Sequence, residues 1–168
     1  KRSNGEDDVI ISTSAGQAVR FSEKDARPMG RAARGVRGVR LRPGDSVVGM
    51  DLADEKKPLL VVSENGYGKL TNTSNFPSHK RGGVGIKSAV VTAKTGNIVS
   101  VRSIDPDASE ILIISTQGQT IRVGLQDIPK LGRTTQGVRI MRLNNEDTVA
   151  SLGIILDQPD KEEETKEE

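Results

Sequence analysis

Arginine and lysine recur at matching places along this chain, many of them beside glycine. The first stretch carries Arg20, Lys24, Arg27, Arg31, Arg34, Arg37, Arg40 and Arg42. A second carries Lys69, Lys80, Arg81 and Lys87, with the single histidine, His79, in the same basic loop. A third carries Arg122, Lys130, Arg133, Arg139 and Arg142. A regular series of cations can hold a row of phosphates, and adjoining glycines let backbone N–H groups approach the same oxygens. That is the chemistry these residues offer: electrostatic grip on a polyanion, without bond making or breaking.

Other chemistries lack their residues. The chain has no cysteine and one histidine, which leaves no thiolate site and no His-rich metal site. No Ser/His/Asp constellation or carboxylate pair stands out, so no catalytic residue is assigned. The run Gly66-Tyr67-Gly68-Lys69-Leu70-Thr71 fails as a phosphate loop. Such a loop needs Gly five residues before its Gly-Lys and Ser or Thr directly after, where this chain has Ser63 and Leu70. Tyr67, the only tyrosine, sits in that Gly turn and reads as a packing residue rather than a nucleophile. Aromatic content is 2%, too little for the stacking platforms of single-strand binders, so a duplex backbone is the favoured polyanion. No apolar run approaches the roughly 20 residues of a membrane span.

The elements that must position these cations are written three times. The run from Val9 through Ala15-Gly16-Gln17 to Arg20 returns from Ile111 through Gln117-Gly118-Gln119 to Arg122, with a looser copy from Leu59 through Asn65-Gly66-Tyr67 to Lys69. A Gly- and Arg-rich segment follows each. Residues 30–37 match 132–139, and the middle copy reads Ser78-His79-Lys80-Arg81-Gly82-Gly83-Val84-Gly85. A period of about fifty residues marks an array of supersecondary units. The repeats divide the chain into a flank (1–8), three units (9–57, 58–108, 109–157) and a tail (158–168).

Each unit opens with a Val/Ile run, a Gly turn and a second short run, the pattern of a β-hairpin. Further strands are expected at 36–41, 85–91 and 138–143, then at 47–52, 98–104 and 149–156. About four strands per unit make an all-β, propeller-like array. In the Gly-Val-Arg strands Val36 falls in phase with Arg40 and Arg37 with Leu41, which calls for a bulge or for a strand covered on both sides. Single helical turns fit before Pro28 and Pro129, and no longer helix is expected.

Net charge is +2, but residues 157–168 hold seven acidic and two basic groups, so the body before them carries +7. A basic body with an acidic tail points to a polyanion partner and an internal competitor for it. The tail offers no apolar residue to bury and is expected to be disordered.

These repeats resemble the C-terminal domain of DNA gyrase A. The residues that carry the likeness are Gly35-Val36-Arg37-Gly38-Val39-Arg40-Leu41, Asn65-Gly66-Tyr67-Gly68-Lys69 and Gly132-Arg133-Thr134-Thr135-Gln136-Gly137-Val138. The resemblance covers residues 5–157. It implies a β-pinwheel, a disc of four-stranded blades that exchange strands with their neighbours, and double-stranded DNA wrapped on its basic perimeter. It also implies the last three blades of a longer polypeptide. Its partners would be the rest of gyrase A and the ATPase, gyrase B, in a heterotetramer, with a bacterial, cytoplasmic, nucleoid-associated setting. No cofactor is implied for this segment; ATP and Mg belong to other parts of the holoenzyme. The family's box motif, Gln-Arg-Arg-Gly-Gly-Lys-Gly, belongs to the first blade. Here the middle unit echoes it at 79–85, with His79 in place of Gln and Val84 in place of the final Lys. The topoisomerase IV subunit, a decatenase, is the nearest alternative within the family, and a propeller-like protein-interaction scaffold is the alternative outside it.

Overall fold

Three β-hairpins dominate the chain, each placed where the Val/Ile runs and Gly turns predict it. They are β1 (Asp8–Thr13) with β2 (Gln17–Ser22), β4 (Leu59–Ser63) with β5 (Tyr67–Thr71), and β8 (Ala108–Ser115) with β9 (Thr120–Gly124). The turn glycines Gly16, Gly66 and Gly118 have φ of 73°, 76° and 86°, a left-handed backbone that a Cβ disfavours. The computed structural model describes residues 1–156, so the acidic tail lies outside them.

A later strand from the same unit flanks each hairpin: β3 (Val47–Leu52), β7 (Ile98–Ser103) and β11 (Val149–Leu156). The fourth strand of a sheet comes from the next unit. β6 (Ile86–Lys87) pairs with β2, and β10 (Val138–Arg139) pairs with β5. The sheets are therefore ordered β3-β1-β2-β6, β10-β5-β4-β7 and β11-β8-β9, all with antiparallel neighbours.

This exchange corrects the expected strands. Only two residues of 85–91 and two of 138–143 are strand, and 36–41 forms none. No sheet of the described residues stands where 36–41 could add an edge. The segment instead binds the loop of the middle unit, with Gly82 N donating to Gly38 O and Arg40 N to Gly83 O, each at 2.8 Å. Its irregular alternation therefore has neither of the causes anticipated. The bulges lie elsewhere, between Ser12 and Thr13, between Val62 and Ser63, and in β11 at 149–151 and 155–156, where the hairpins meet β3, β7 and β11. Short 3-10 turns occupy Glu23–Asp25 and Leu125–Asp127 as the prolines predict, and a third at Thr73–Asn75 was not anticipated.

Alternation along the strands lets the middle sheet bury both faces, with every residue of β4 and β5 buried between its two neighbours. Ile10 and Ala18 of the first sheet meet Leu59, Val61, Val101 and Phe76. Leu60, Val62 and Leu70, on the opposite face of the second sheet, meet Ile111, Ile113 and Leu125. Each of the larger side chains contributes on the order of 1.5–3 kcal/mol by leaving water, which makes the seams between blades the core of the molecule. β3, β7 and β11 lie side by side at the inner edges, so close that a Cβ on Gly49 would sit 2.5 Å from Val101 O. β6 and β10 are consequently the perimeter.

Candidate nucleic-acid interface

Just before each perimeter strand the chain makes a tight turn that carries one arginine. In the middle and last units the turns occupy 80–84 and 132–136, with Arg81 and Arg133 as their second residues. Gly85 and Gly137 then adopt φ of 80° and 82° where the strand lands on its neighbour. A Cβ there would lie 2.4 Å from Ala18 O or 2.6 Å from Gly68 O, so both positions require glycine. The counterpart in the first unit is Arg31 before Gly35, whose φ is 76°. The landing glycines fix an alignment that the sequence misplaced by two residues. Gly85, not Gly83, matches Gly35 and Gly137, and Arg81 matches Arg31 and Arg133.

The second cation of each unit lies two residues after the landing glycine, at Arg37, Lys87 and Arg139. All three are exposed, as are Arg27, Arg31, Arg34, Arg40, His79, Lys80 and Arg142. None of these makes an ion pair with a carboxylate among the described residues. Arg81 is half-buried, with Nε donating to Asp25 O at 3.1 Å and Nη1 to Arg37 O. Arg133 Nη1 donates to Lys87 O at 2.7 Å, and its guanidinium lies 5.8 Å from the centre of the Phe76 ring. Arg139 donates to the Tyr67 hydroxyl at 3.1 Å and stacks on that ring, with Lys94 also over it. Tyr67 is buried and serves to pack these cations.

Four candidates are placed otherwise. Lys69 is buried, facing no solvent: the period-2 alternation of β5 turns it toward the neighbouring turn. Its Nζ donates to Gly132 O and Arg133 O at 2.8 Å, Thr135 O at 3.1 Å and Thr135 Oγ1 at 3.2 Å. Burial, and then the Arg133 guanidinium, pull its ammonium down to about 8. Four surrounding oxygens keep it charged at neutral pH. Arg20 bridges Asp8 at 2.7 Å and Glu55 at 3.2 Å in the first seam. Arg122 pairs with Glu110 and Lys24 with Glu6. Their counter-ions lower what they offer to a phosphate.

Sequence reasoning missed Lys94, which has no counterpart in the other units, and two carboxylates that have counterparts at the same step. Asp45 Oδ1 accepts from Ser14 Oγ, Ala15 N and Ser46 N, each at 2.9 Å. Asp147 Oδ1 likewise accepts from Thr116 Oγ1 at 2.8 Å, Gln117 N at 3.0 Å and Thr148 N at 2.9 Å. Burial raises both acids, but these hydrogen bonds outweigh it and hold them below the usual 3.8. Among the described residues no cluster of His, Cys, Asp or Glu has the makings of a metal site, and no helix is long and apolar enough to cross a membrane.

The family model of the DNA gyrase C-terminal domain, beta-propeller, matches residues 7–54, 57–105 and 109–155. The chain belongs to the DNA gyrase C-terminal domain family. Among curated relatives of this gyrase domain, the DNA gyrase A protein of Staphylococcus epidermidis is 40% identical over 158 residues, 93% of this chain and 18% of that protein. Its counterpart in Staphylococcus aureus is 40% identical over 167 residues, 98% of this chain and again 18% of the relative. The chain thus spans about a fifth of the length of the curated relatives it matches. A solved DNA gyrase A C-terminal domain superposes with a TM-score of 0.80 at 32% identity, covering 90% of this chain and 51% of that one. The C-terminal domain of a DNA topoisomerase IV superposes with a TM-score of 0.83 at 21% identity, covering 90% of this chain and 47% of that one, a likeness of fold. The all-β pinwheel that the family resemblance implies is thereby established.

Proposed function

We propose that this chain is the DNA-wrapping part of a gyrase A protein and grips the duplex by its phosphates along the perimeter, without reading bases. The observation that carries this reading is the recurrence of one device at the rim: a turn with an arginine, a left-handed glycine and a perimeter strand with an exposed cation. Cations placed by the blade repeat, rather than clustered in one groove, suit a ligand that curves past successive blades. Bending a duplex costs a few kcal/mol, which a series of phosphate contacts can offset.

Within the holoenzyme the reading implies a type IIA topoisomerase that introduces negative supercoils. The wrapped segment would present a neighbouring duplex for strand passage with a fixed crossing sign. The rest of gyrase A and the ATPase, gyrase B, would supply cleavage and ATP hydrolysis, with ATP and Mg bound there, in the bacterial cytoplasm at the nucleoid. Curated relatives at 40% identity favour the gyrase protein over its topoisomerase IV counterpart. The test is duplex binding across a salt series. Affinities for unrelated sequences should agree within roughly a few-fold and fall steeply with salt. Salt-independent binding or a strong preference for one sequence would overturn the wrapping reading, and preference for an acidic protein would point to a scaffold.

A further inference from the structure

The turn at 132–136 differs from its counterparts in what lies beneath it. Val19 and Ile121 occupy the matching place in β2 and β9, whereas β5 has Lys69 there. The Lys69 ammonium gathers the carbonyl oxygens of Gly132, Arg133 and Thr135. In a trans peptide the C=O and the following N–H point in opposite directions. Three inward carbonyls therefore turn the N–H groups of Arg133, Thr134 and Gln136 away from the interior. None of these N–H groups donates to another group among the described residues. Gly132, Thr134 and Gln136 are exposed, and Lys87, also exposed, offers its carbonyl to the Arg133 guanidinium.

The turn is also held at both ends. Leu131 N donates to Leu70 O at 2.8 Å, and β10 pairs with β5 directly after Gly137. Outward N–H groups on a fixed backbone, with a positive charge directly behind them, make an anion-binding nest.

We infer that residues 132–136 form a backbone cradle for one phosphate of the duplex, and that Lys69 is the positioning residue that orients it from inside. The inference rests on the phosphate-gripping function proposed above. It gives a buried lysine, which cannot touch DNA, a part in binding it.

The test uses the 168-residue chain, a short duplex and amide NMR with 15N labelling. In the unchanged protein the amides of Arg133, Thr134 and Gln136 should shift on adding duplex. Lys69→Met keeps the side chain's length in a place where the other blades carry Val and Ile. It should fold with undiminished thermal stability, lose those amide shifts, bind duplex roughly fivefold more weakly and show a salt slope lower by about one. A purely structural lysine would do the reverse, costing stability and leaving affinity and amide shifts of the folded protein unchanged. That result overturns the inference. If Lys69→Met does not fold, Thr135→Val, which removes one oxygen from the ammonium and a hydroxyl donated to Gly132 O, should weaken the same three shifts. Unchanged shifts in that variant also overturn it. Shifts confined to other rim residues sink the cradle while leaving the wrapping function standing, whereas no duplex binding at all sinks that function itself.

Discussion

The turns at 80–84 and 132–136 occupy the same place on neighbouring blades, yet they use their backbones in opposite ways. The first has the glycines that invite a phosphate-cradle reading, Gly82 and Gly83. Val19 lies beneath it, the Gly82 N–H is already spent on Gly38 O, and Gly83 O accepts from Arg40. The second has Thr134 and Thr135 in their place, and an ammonium beneath turns its amides outward. Glycine permits a backbone to approach a phosphate, but what faces the carbonyls decides where the N–H groups point. On the proposed reading, the first turn would bind through Lys80 and Arg81 and the second through its main chain.

The largest expected effect comes from the landing glycines that both turns share. Gly85→Ala and Gly137→Ala combine a left-handed φ with a Cβ pressed against backbone, and each should cost more than about 3 kcal/mol in denaturant unfolding. Gly83→Ala, with no atom nearer than 3.9 Å, is the control and should cost under about 1 kcal/mol. Equal losses at Gly83 and Gly85 would mean that the landing geometry is not what the turns depend on.

Next in size is the side-chain contribution of the first turn. Lys80→Ala with Arg81→Ala should weaken duplex binding and lower its salt slope by about one to two. Arg81 also holds the carbonyls of Asp25 and Arg37, so the double variant should speed hydrogen exchange at Gly82 and Arg40. An unchanged salt slope in the folded variant would leave the middle blade's echo of the family motif without a role.

Acid should loosen the first and last blades together. Asp45 and Asp147 have folded values below 3.8, so their stabilisation is present above that pH and disappears as pH falls through the folded values. Asp45→Asn and Asp147→Asn should flatten thermal stability between about pH 5 and 2 relative to the unchanged chain. Lys69 has the opposite sign. Its folded value of about 8 is below the ordinary 10.5, so its burial costs stability at neutral pH, and that cost fades between the two values. A melting series across this window should show a rise that Lys69→Met abolishes. Smallest of all, Lys24→Gln removes the exposed pair with Glu6 and should change stability by less than about 0.5 kcal/mol.

What could be read in advance follows from the range of the interactions. The hairpins were legible because Val/Ile runs and Gly turns are local, and the 3-10 turns because proline acts on its own neighbours. The exchange of 86–87 and 138–139 onto the preceding blades was not legible from strand propensity, which says nothing about which sheet receives a strand. The misplaced alignment of the middle unit has the same origin: Gly83 and Gly85 look alike in sequence, and only the fold distinguishes them, through Gly85's left-handed φ and its contact with Ala18 O. Exposed rim cations such as Arg31, Lys87 and Arg142 followed from periodicity. Lys69 did not, because a lysine in a strand reads as a surface charge until the carbonyls of another blade close around it. Asp45 and Asp147 were within reach, since they match at the same step as the arginines, but their charge is opposite to that of the series that marks the rim.

Strand exchange has a consequence on the ribosome. The first hairpin is complete at Ser22, yet the strand that finishes its outer edge, Ile86–Lys87, is synthesised about one repeat later. At about 5–20 residues per second, that hairpin waits several seconds with β2 uncovered, and the next hairpin waits similarly for Val138–Arg139. The nascent chain thus always carries one open edge, capped only as its successor emerges. Arg20 in β2 and Lys69 in β5, both buried or paired in the finished fold, are then the charges that keep such an edge from pairing with another nascent copy.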